Sequence, residues 1–192
     1  MNTIFDAAKA FEKILGIEYE IRLGRKGCTE ILLVSFEKTQ FFHLAGMQYL
    51  ADRIDILRSR RDVVFDKILS GEISVNQIES SAFYSKIKDR VEFLQFLESI
   101  MDSNDTIFRY NQRLQNFSLI QADFLMKNTV QSHTIFTFLA QDKKNGTYFC
   151  RSFFPQTNKD YSEKQTKWIL LYKKKIFKEE HTHVVLFDKI KK

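Results

Sequence analysis

The side chains able to exchange protons or grip a phosphate are few in this chain and widely spread. His43 lies in the run FFHLAG, and His133 opens the segment HTIFTFLAQ. An imidazole titrates near neutrality and so suits both the base and the acid of phosphodiester cleavage. His43 shares a helical stripe with Met47 and Leu50, a placement that fits a packed core histidine as well as a catalytic one. His133 belongs to an alternating segment in which Thr134, Phe136 and Phe138 form the apolar face, leaving His133 and Thr137 to point the other way. Arg22, Arg151, Ser152, Thr166 and Lys167 occupy similar polar-facing strand positions. Gly24 and Gly27 frame Arg25 and Lys26 in a turn, LGRKG. A strand follows that turn where a phosphate-binding loop needs a helix start, so a hairpin is expected, with Arg25 and Lys26 at its tip. The set fits metal-free cleavage of RNA. A base takes the 2′-hydroxyl proton, cations stabilise the crowded phosphorane, and an acid protonates the departing 5′ oxygen. The expected catalytic residues are His43, His133, Arg22 and Arg151, with Arg25, Lys26, Ser152, Thr166 and Lys167 holding substrate. Taken alone, each of the strand positions Arg22, His133, Arg151, Ser152, Thr166 and Lys167 fits a solvated strand residue better than a functional one.

Other chemistries find less support. His181 and His183 alternate onto one face of the last strand, yet no third ligand cluster and no H-E-x-x-H helix accompanies them, so no metal and no cofactor is expected. Cys28 and Cys150 have no partner motif and read as buried, inert free thiols in a reducing cytoplasm. There is no G-x-S-x-G elbow, P-loop or dinucleotide fingerprint. The N-terminus has no signal-peptide pattern and no apolar run reaches the roughly 18 residues of a membrane span, so a soluble cytoplasmic protein without membrane contact is expected. A net charge of +6 and a pI near 9.2 are compatible with a polyanionic partner. From Lys159 to Lys178 the lysines interleave with Tyr161, Trp168, Tyr172 and Phe177, as on a surface that tracks phosphates and stacks bases.

The positioning elements follow from periodicity. Ile4, Ala7, Ala8, Phe11, Ile14 and Leu15 predict a first helix ending at Gly16, and the alternation from Tyr19 with the apolar run to Phe36 predicts a hairpin. Thr39 is the expected cap of a long helix that carries His43, Met47, Leu50, Ile54 and Leu57 inward. A shorter one runs from Arg60 to Ser70 and stops at Gly71. A fourth presents Phe83, Ile87, Val91, Leu94, Leu97 and Met101. After Asp105 short aromatic and β-branched runs predict strands near 107–110, 120–127, 133–141, 147–154, 167–176 and 182–188. The fold class is α+β: an N-terminal helix and β-hairpin, then helices, then a C-terminal antiparallel twisted sheet. One domain over 1–192 is expected, helical to about residue 104 and sheet over about 105–190.

The segment Tyr19–Leu50, with YEIRLGRKG, ILLVSF and FFHLAGMQYL, resembles the fourth phage-associated class of the barnase, EndoU, colicin and RelE nuclease superfamily. KILSGEIS, SAFYSKIKDRVEFL and the late strands look like that class too. The resemblance implies a helix-then-sheet domain of phages and mobile elements that acts on RNA as an effector or toxin, and His43 and Arg22 match its pattern. The expected partners are RNA or another nucleic acid and a cognate inhibitor protein. The competing reading is a non-catalytic module that binds nucleic acid or protein through the basic C-terminal strands.

Overall fold

The computed structural model describes residues 3–116 and 118–190, so the outermost ends of the expected 1–192 domain lie outside the described residues. Helix α1 (Ile4–Ile14) starts at a capping box. Thr3 Oγ1 accepts from the Asp6 N–H at 3.2 Å, while the Asp6 carboxylate accepts from the Thr3 N–H at 2.9 Å. Such a cap stabilises a helix by about 1 kcal/mol. Ala7 and Ala8 are fully buried, and Phe11 meets the rings of Phe41 and Phe65 at 5.6 and 5.9 Å. Strands β1 (Ile17–Arg25) and β2 (Cys28–Ser35) form the expected hairpin. Its two-residue loop, Lys26 and Gly27, has φ of 48° and 81°, the paired positive values that match a right-twisted ribbon.

The long helix expected from Thr39 is broken into α2 (Lys38–Leu44), a 3-10 turn at Met47–Tyr49, and α3 (Ile54–Arg58). Glu37, not Thr39, holds the N-cap position. Gly46 supplies the break, with φ of 81° in the left-handed region. The shorter helix α4 (Arg61–Ser70) ends at left-handed Gly71, as the sequence indicates. Helix α5 (Val75–Glu79) is an addition, nucleated by a second capping box between Ser74 and Gln77. The next expected helix is likewise divided, into α6 (Lys88–Leu94) and α7 (Leu97–Asp102), although Ile87, Val91, Leu94, Leu97 and Met101 are all buried. The apolar period survives these breaks because each short piece lays its own stripe on one core.

The later strands are β3 (Thr106–Arg109), β4 (Phe124–Val130), β5 (His133–Gln141), β6 (Tyr148–Pro155), β7 (Thr166–Phe177) and β8 (Thr182–Asp188). They do not make the separate twisted sheet expected from the sequence. β1 pairs with both β2 and β7, and β2 meets β6 through a parallel bridge, Val34 opposite Tyr148. The order β1-β2-β6-β5-β4-β3-β7 therefore closes into a seven-stranded barrel, with β8 appended to β7. Closure follows from the length of β7. Its first residues pair with β3 and the remainder with β1, so the N-terminal hairpin fills the gap and removes two open edges.

Inward faces carry Tyr19, Ile21, Leu32, Val34, Phe124, Met126, Ile135, Leu139, Cys150 and Phe153, all in the main core with the helices. Thr137, expected on a polar face with His133, lies on this inner face and is fully buried. The opposite face of β4 and β5 carries Leu125, Phe136 and Phe138, which form a second, smaller cluster with Tyr110.

The lysine-rich stretch of β7 also differs from expectation. Lys175 is buried and binds Glu98 at 2.6 Å and Asp102 at 3.0 Å, and Asp102 accepts from Tyr19 Oη at 2.6 Å. Lys173 is buried and donates to the carbonyls of Met101 and Ser103 at the end of α7, and burial pushes its ammonium down to about 8. Lys174 pairs with Glu20 at 2.8 Å. Lys173 and Lys175 fasten α7 to the barrel and Lys174 ties β7 to β1, so these three side chains do not line one open surface.

At Gly46 an added Cβ would come within 2.9 Å of Arg90 Cδ and 3.0 Å of Ile87 Cγ2, in addition to the left-handed backbone. Gly46→Ala is expected to lower unfolding free energy by about 1–3 kcal/mol in urea titration, whereas Gly71→Ala, with no neighbour within 4 Å, should show the backbone cost alone.

Candidate active site

The best-formed cavity, about 360 Å³, opens where helix α2 crosses the barrel wall. Its sides are Ser35 at the end of β2, Thr39, Gln40 and His43 from α2, Arg61 at the start of α4, Asp142 and Asn145 from the β5–β6 turn, and Phe149 and Arg151 from β6. A β-bulge shapes that last wall. Opposite β5, Phe138 faces Ser152 and Leu139 faces Cys150, so Arg151 is the extra residue. The bulge changes parity: Tyr148 and Cys150 turn into the core before it, Phe153 after it. Phe149, Arg151, Ser152 and Phe154 consequently share the outer face, with the Arg151 side chain thrust into the cavity mouth.

His43 is half-buried on the cavity side of α2, and neither ring nitrogen has a hydrogen-bond partner among the described residues. Burial pushes its imidazole below the ordinary value, and the positive charges of Arg151, Arg61 and Arg90 push the same way. The ring is therefore neutral at physiological pH and free to accept a proton. Arg61 and Arg151 are exposed and form no ion pair among the described residues. The Arg61 guanidinium lies over the Phe42 ring, 5.7 Å from its centre.

Arg90 is half-buried behind Gly46, donating from Nη1 to the Phe153 carbonyl at 2.9 Å and lying against the rings of Tyr49 and Phe154. It too lacks a carboxylate partner among the described residues. The Gln40 carbonyl oxygen is buried without a partner, an acceptor left for an occupant of the cavity. Glu37 and Asp142 add carboxylates at the rim, and Asp142 is engaged in the turn through the Lys144 N–H at 2.9 Å.

Of the residues singled out from the sequence, His43 and Arg151 meet here. The others lie elsewhere. His133 is exposed beside a tight turn, its Nδ1 2.9 Å from the Gln131 carbonyl and its ring 5.0 Å from that of Phe93. Arg22 is held by Glu20 at 2.7 Å and lies over Tyr172. Arg25 and Lys26 are exposed at the hairpin tip, and Thr166 and Lys167 pair with β3. Ser152 lines a neighbouring cavity. Cys150 is buried, with its thiol pushed up by burial, but Cys28, expected to be buried, is exposed at the start of β2. His181 and His183 border a shallow surface hollow, and no group of three or more His, Cys, Asp or Glu side chains converges among the described residues. Arg61, Gln40 and Arg90 went unnoticed because helical positions were read for their apolar stripe. The signal available was a single arginine in each of α4 and α6, Arg61 and Arg90.

Residues 3–189 match the family model described as phage-Barnase-EndoU-ColicinE5/D-RelE like nuclease4, and the chain belongs to that family. Comparison with curated proteins and with solved structures finds no match. No helix among the described residues is long and apolar enough to cross a membrane.

Because Arg151 is the first-named of the charges acting on His43, its removal has a defined sign. In Arg151→Ala the His43 imidazole should titrate at higher pH than in the unmodified protein, towards the free-imidazole value near 6.5, as followed by NMR of the ring protons. A His43 titration that stays put would separate the two residues.

Proposed function

We propose that this protein is a metal-independent endoribonuclease, an effector or toxin of phage or mobile-element type acting in the cytoplasm, and that it cuts RNA at the cavity of His43, Arg61 and Arg151. The observation that carries the reading is a neutral imidazole without a ring hydrogen bond, flanked by two guanidiniums that form no ion pair among the described residues. Arginine presents a planar fork to phosphate oxygens and keeps its charge at any physiological pH. In this reading Arg61 and Arg151 hold the scissile phosphate and neutralise the phosphorane that forms on it. His43 accepts the 2′-hydroxyl proton as that oxygen attacks phosphorus. The departing 5′ oxygen lies opposite and takes its proton from water, since His43 is the only histidine lining the cavity. Membership of a nuclease-like family supports a nucleic-acid substrate, and the 2′-hydroxyl is what makes a lone base sufficient for the cut.

The test is incubation of purified protein with total RNA in the presence of a chelator. The unmodified protein should cleave. His43→Ala and Arg151→Ala should each be slower by about 100-fold or more, the usual contribution of a positioned base or charge. His133→Ala should retain cleavage. The rate should be flat above neutrality and fall as pH drops through the lowered His43 value, because protonation removes the base. Intact RNA with the unmodified protein, or equal rates for all forms, would dismiss this assignment.

A further inference from the structure

A second cavity, about 380 Å³, lies along the same outer face of β6, beginning at Ser152 where the first ends at Arg151. Its lining differs in kind. Tyr49, Phe154 and Tyr161 supply aromatic rings, Arg90 its charged floor, and Lys86 and Lys159 the rim. Arg90 lies 5.3 Å from the Tyr49 ring centre and 5.0 Å from that of Phe154, and Phe154 and Tyr161 meet edge-on at 5.4 Å. Tyr49 is 42% exposed although its ring is large and mostly apolar. Asp89 stands at the edge as a carboxylate acceptor.

Phe154 and Tyr161 are packed against Phe138 and so hold a rigid wall, which leaves the exposed Tyr49 ring, beside cations that form no ion pair among the described residues, as the open face. Such a face has a common occupant in nucleic-acid recognition, an unstacked base whose flanking phosphate lies on the basic rim. A residue advances a strand by about 3.3 Å, so Phe154 is roughly 10 Å from Arg151 along β6, a span that one nucleotide bridges. Arg90 belongs to the second cavity and adds to the positive field on the first.

We propose that this second cavity stacks one nucleobase of single-stranded RNA, the neighbour of the phosphate held by His43 and Arg151, and thereby selects where the strand is cut. The identity of that phosphate rests on the ribonuclease reading; the stacking does not. A duplex cannot bring a base face to Tyr49, so single-stranded segments are the substrate class. Asp89 is placed to accept from a base amino or imino group, which favours a base that offers such donors on its edge.

The test uses a single-stranded 2′-O-methyl RNA oligonucleotide, which the proposed reaction cannot cut, carrying fluorescent 2-aminopurine. Binding to the full chain should quench the probe. Tyr49→Phe should bind and quench equally, while Tyr49→Ala should bind about tenfold or more weakly, in line with the loss of one stacked base, and leave the probe bright. Lys86→Ala, an exposed rim change that leaves the rings intact, should weaken binding modestly and reduce its salt dependence. Thermal melts of each variant report folding. Equal binding and quenching by Tyr49→Ala and the unmodified protein would overturn the proposal, as would absence of quenching with the unmodified protein. The two readings fail separately. Cleavage of total RNA that is indifferent to Tyr49→Ala leaves the nuclease standing without this subsite, and Tyr49-dependent quenching by a protein that cuts no RNA does the reverse.

Discussion

The pairing of β1 with β7 holds the rest of the molecule in place. It runs from Ile17 opposite Phe177 to Gly24 opposite Ile169, with a register shift after Arg22, and it makes a ring of what would otherwise be a hairpin and an open sheet. Once the ring is shut, β2 has a fixed neighbour in β6, and the helix that follows β2 must cross the outside of β6. The cavity containing His43 is the space left at that crossing. A barrel has no free edge to slip, so the bulged residue of β6 is held at a fixed height against α2.

Charge is divided between two tasks in this fold. Three of the four lysines of β7 meet carboxylates or helix-end carbonyls and serve as struts: Lys174 with Glu20, Lys175 with Glu98 and Asp102, and Lys173 with the last turn of α7, while Lys167 is exposed. The arginines around α2 have no such partners among the described residues. A flexible ammonium suits a buried strut that needs a few donors, whereas a guanidinium keeps its charge when partly desolvated and lies flat on rings, as Arg61 and Arg90 do. The basic balance of the chain therefore mixes two populations, lysines of β7 engaged in packing and arginines gathered around α2.

Local signals in the sequence were strong where one residue type decides the outcome. The first helix, the hairpin, the stop at Gly71 and the strand Thr182–Asp188 follow from capping, two-residue turns and alternation. Helix continuity was misread at Gly46, since a stripe of period 3.6 persists across a left-handed break when both pieces face one core. Barrel closure was illegible, because the pairing of residue 17 with residue 177 leaves no mark on either segment alone. The site was half legible. Histidine and strand arginine drew attention to His43 and Arg151, but Arg151 owes its direction to a bulge that shifts parity by one, which alternation alone does not reveal.

The bulge and the ring together bear on when the protein becomes itself. Strands at opposite ends of the chain must find each other before β2 can settle beside β6, and contacts this remote in sequence are the slowest a polypeptide makes. The early helices can form their turns promptly, yet the pocket they border has no far wall until β6, Tyr148–Pro155, has been synthesised, and that wall has no fixed place until β7 closes the ring. A shortened polypeptide ending before β7 would thus contain every residue of the pocket and lack the ring that sets its two walls against each other.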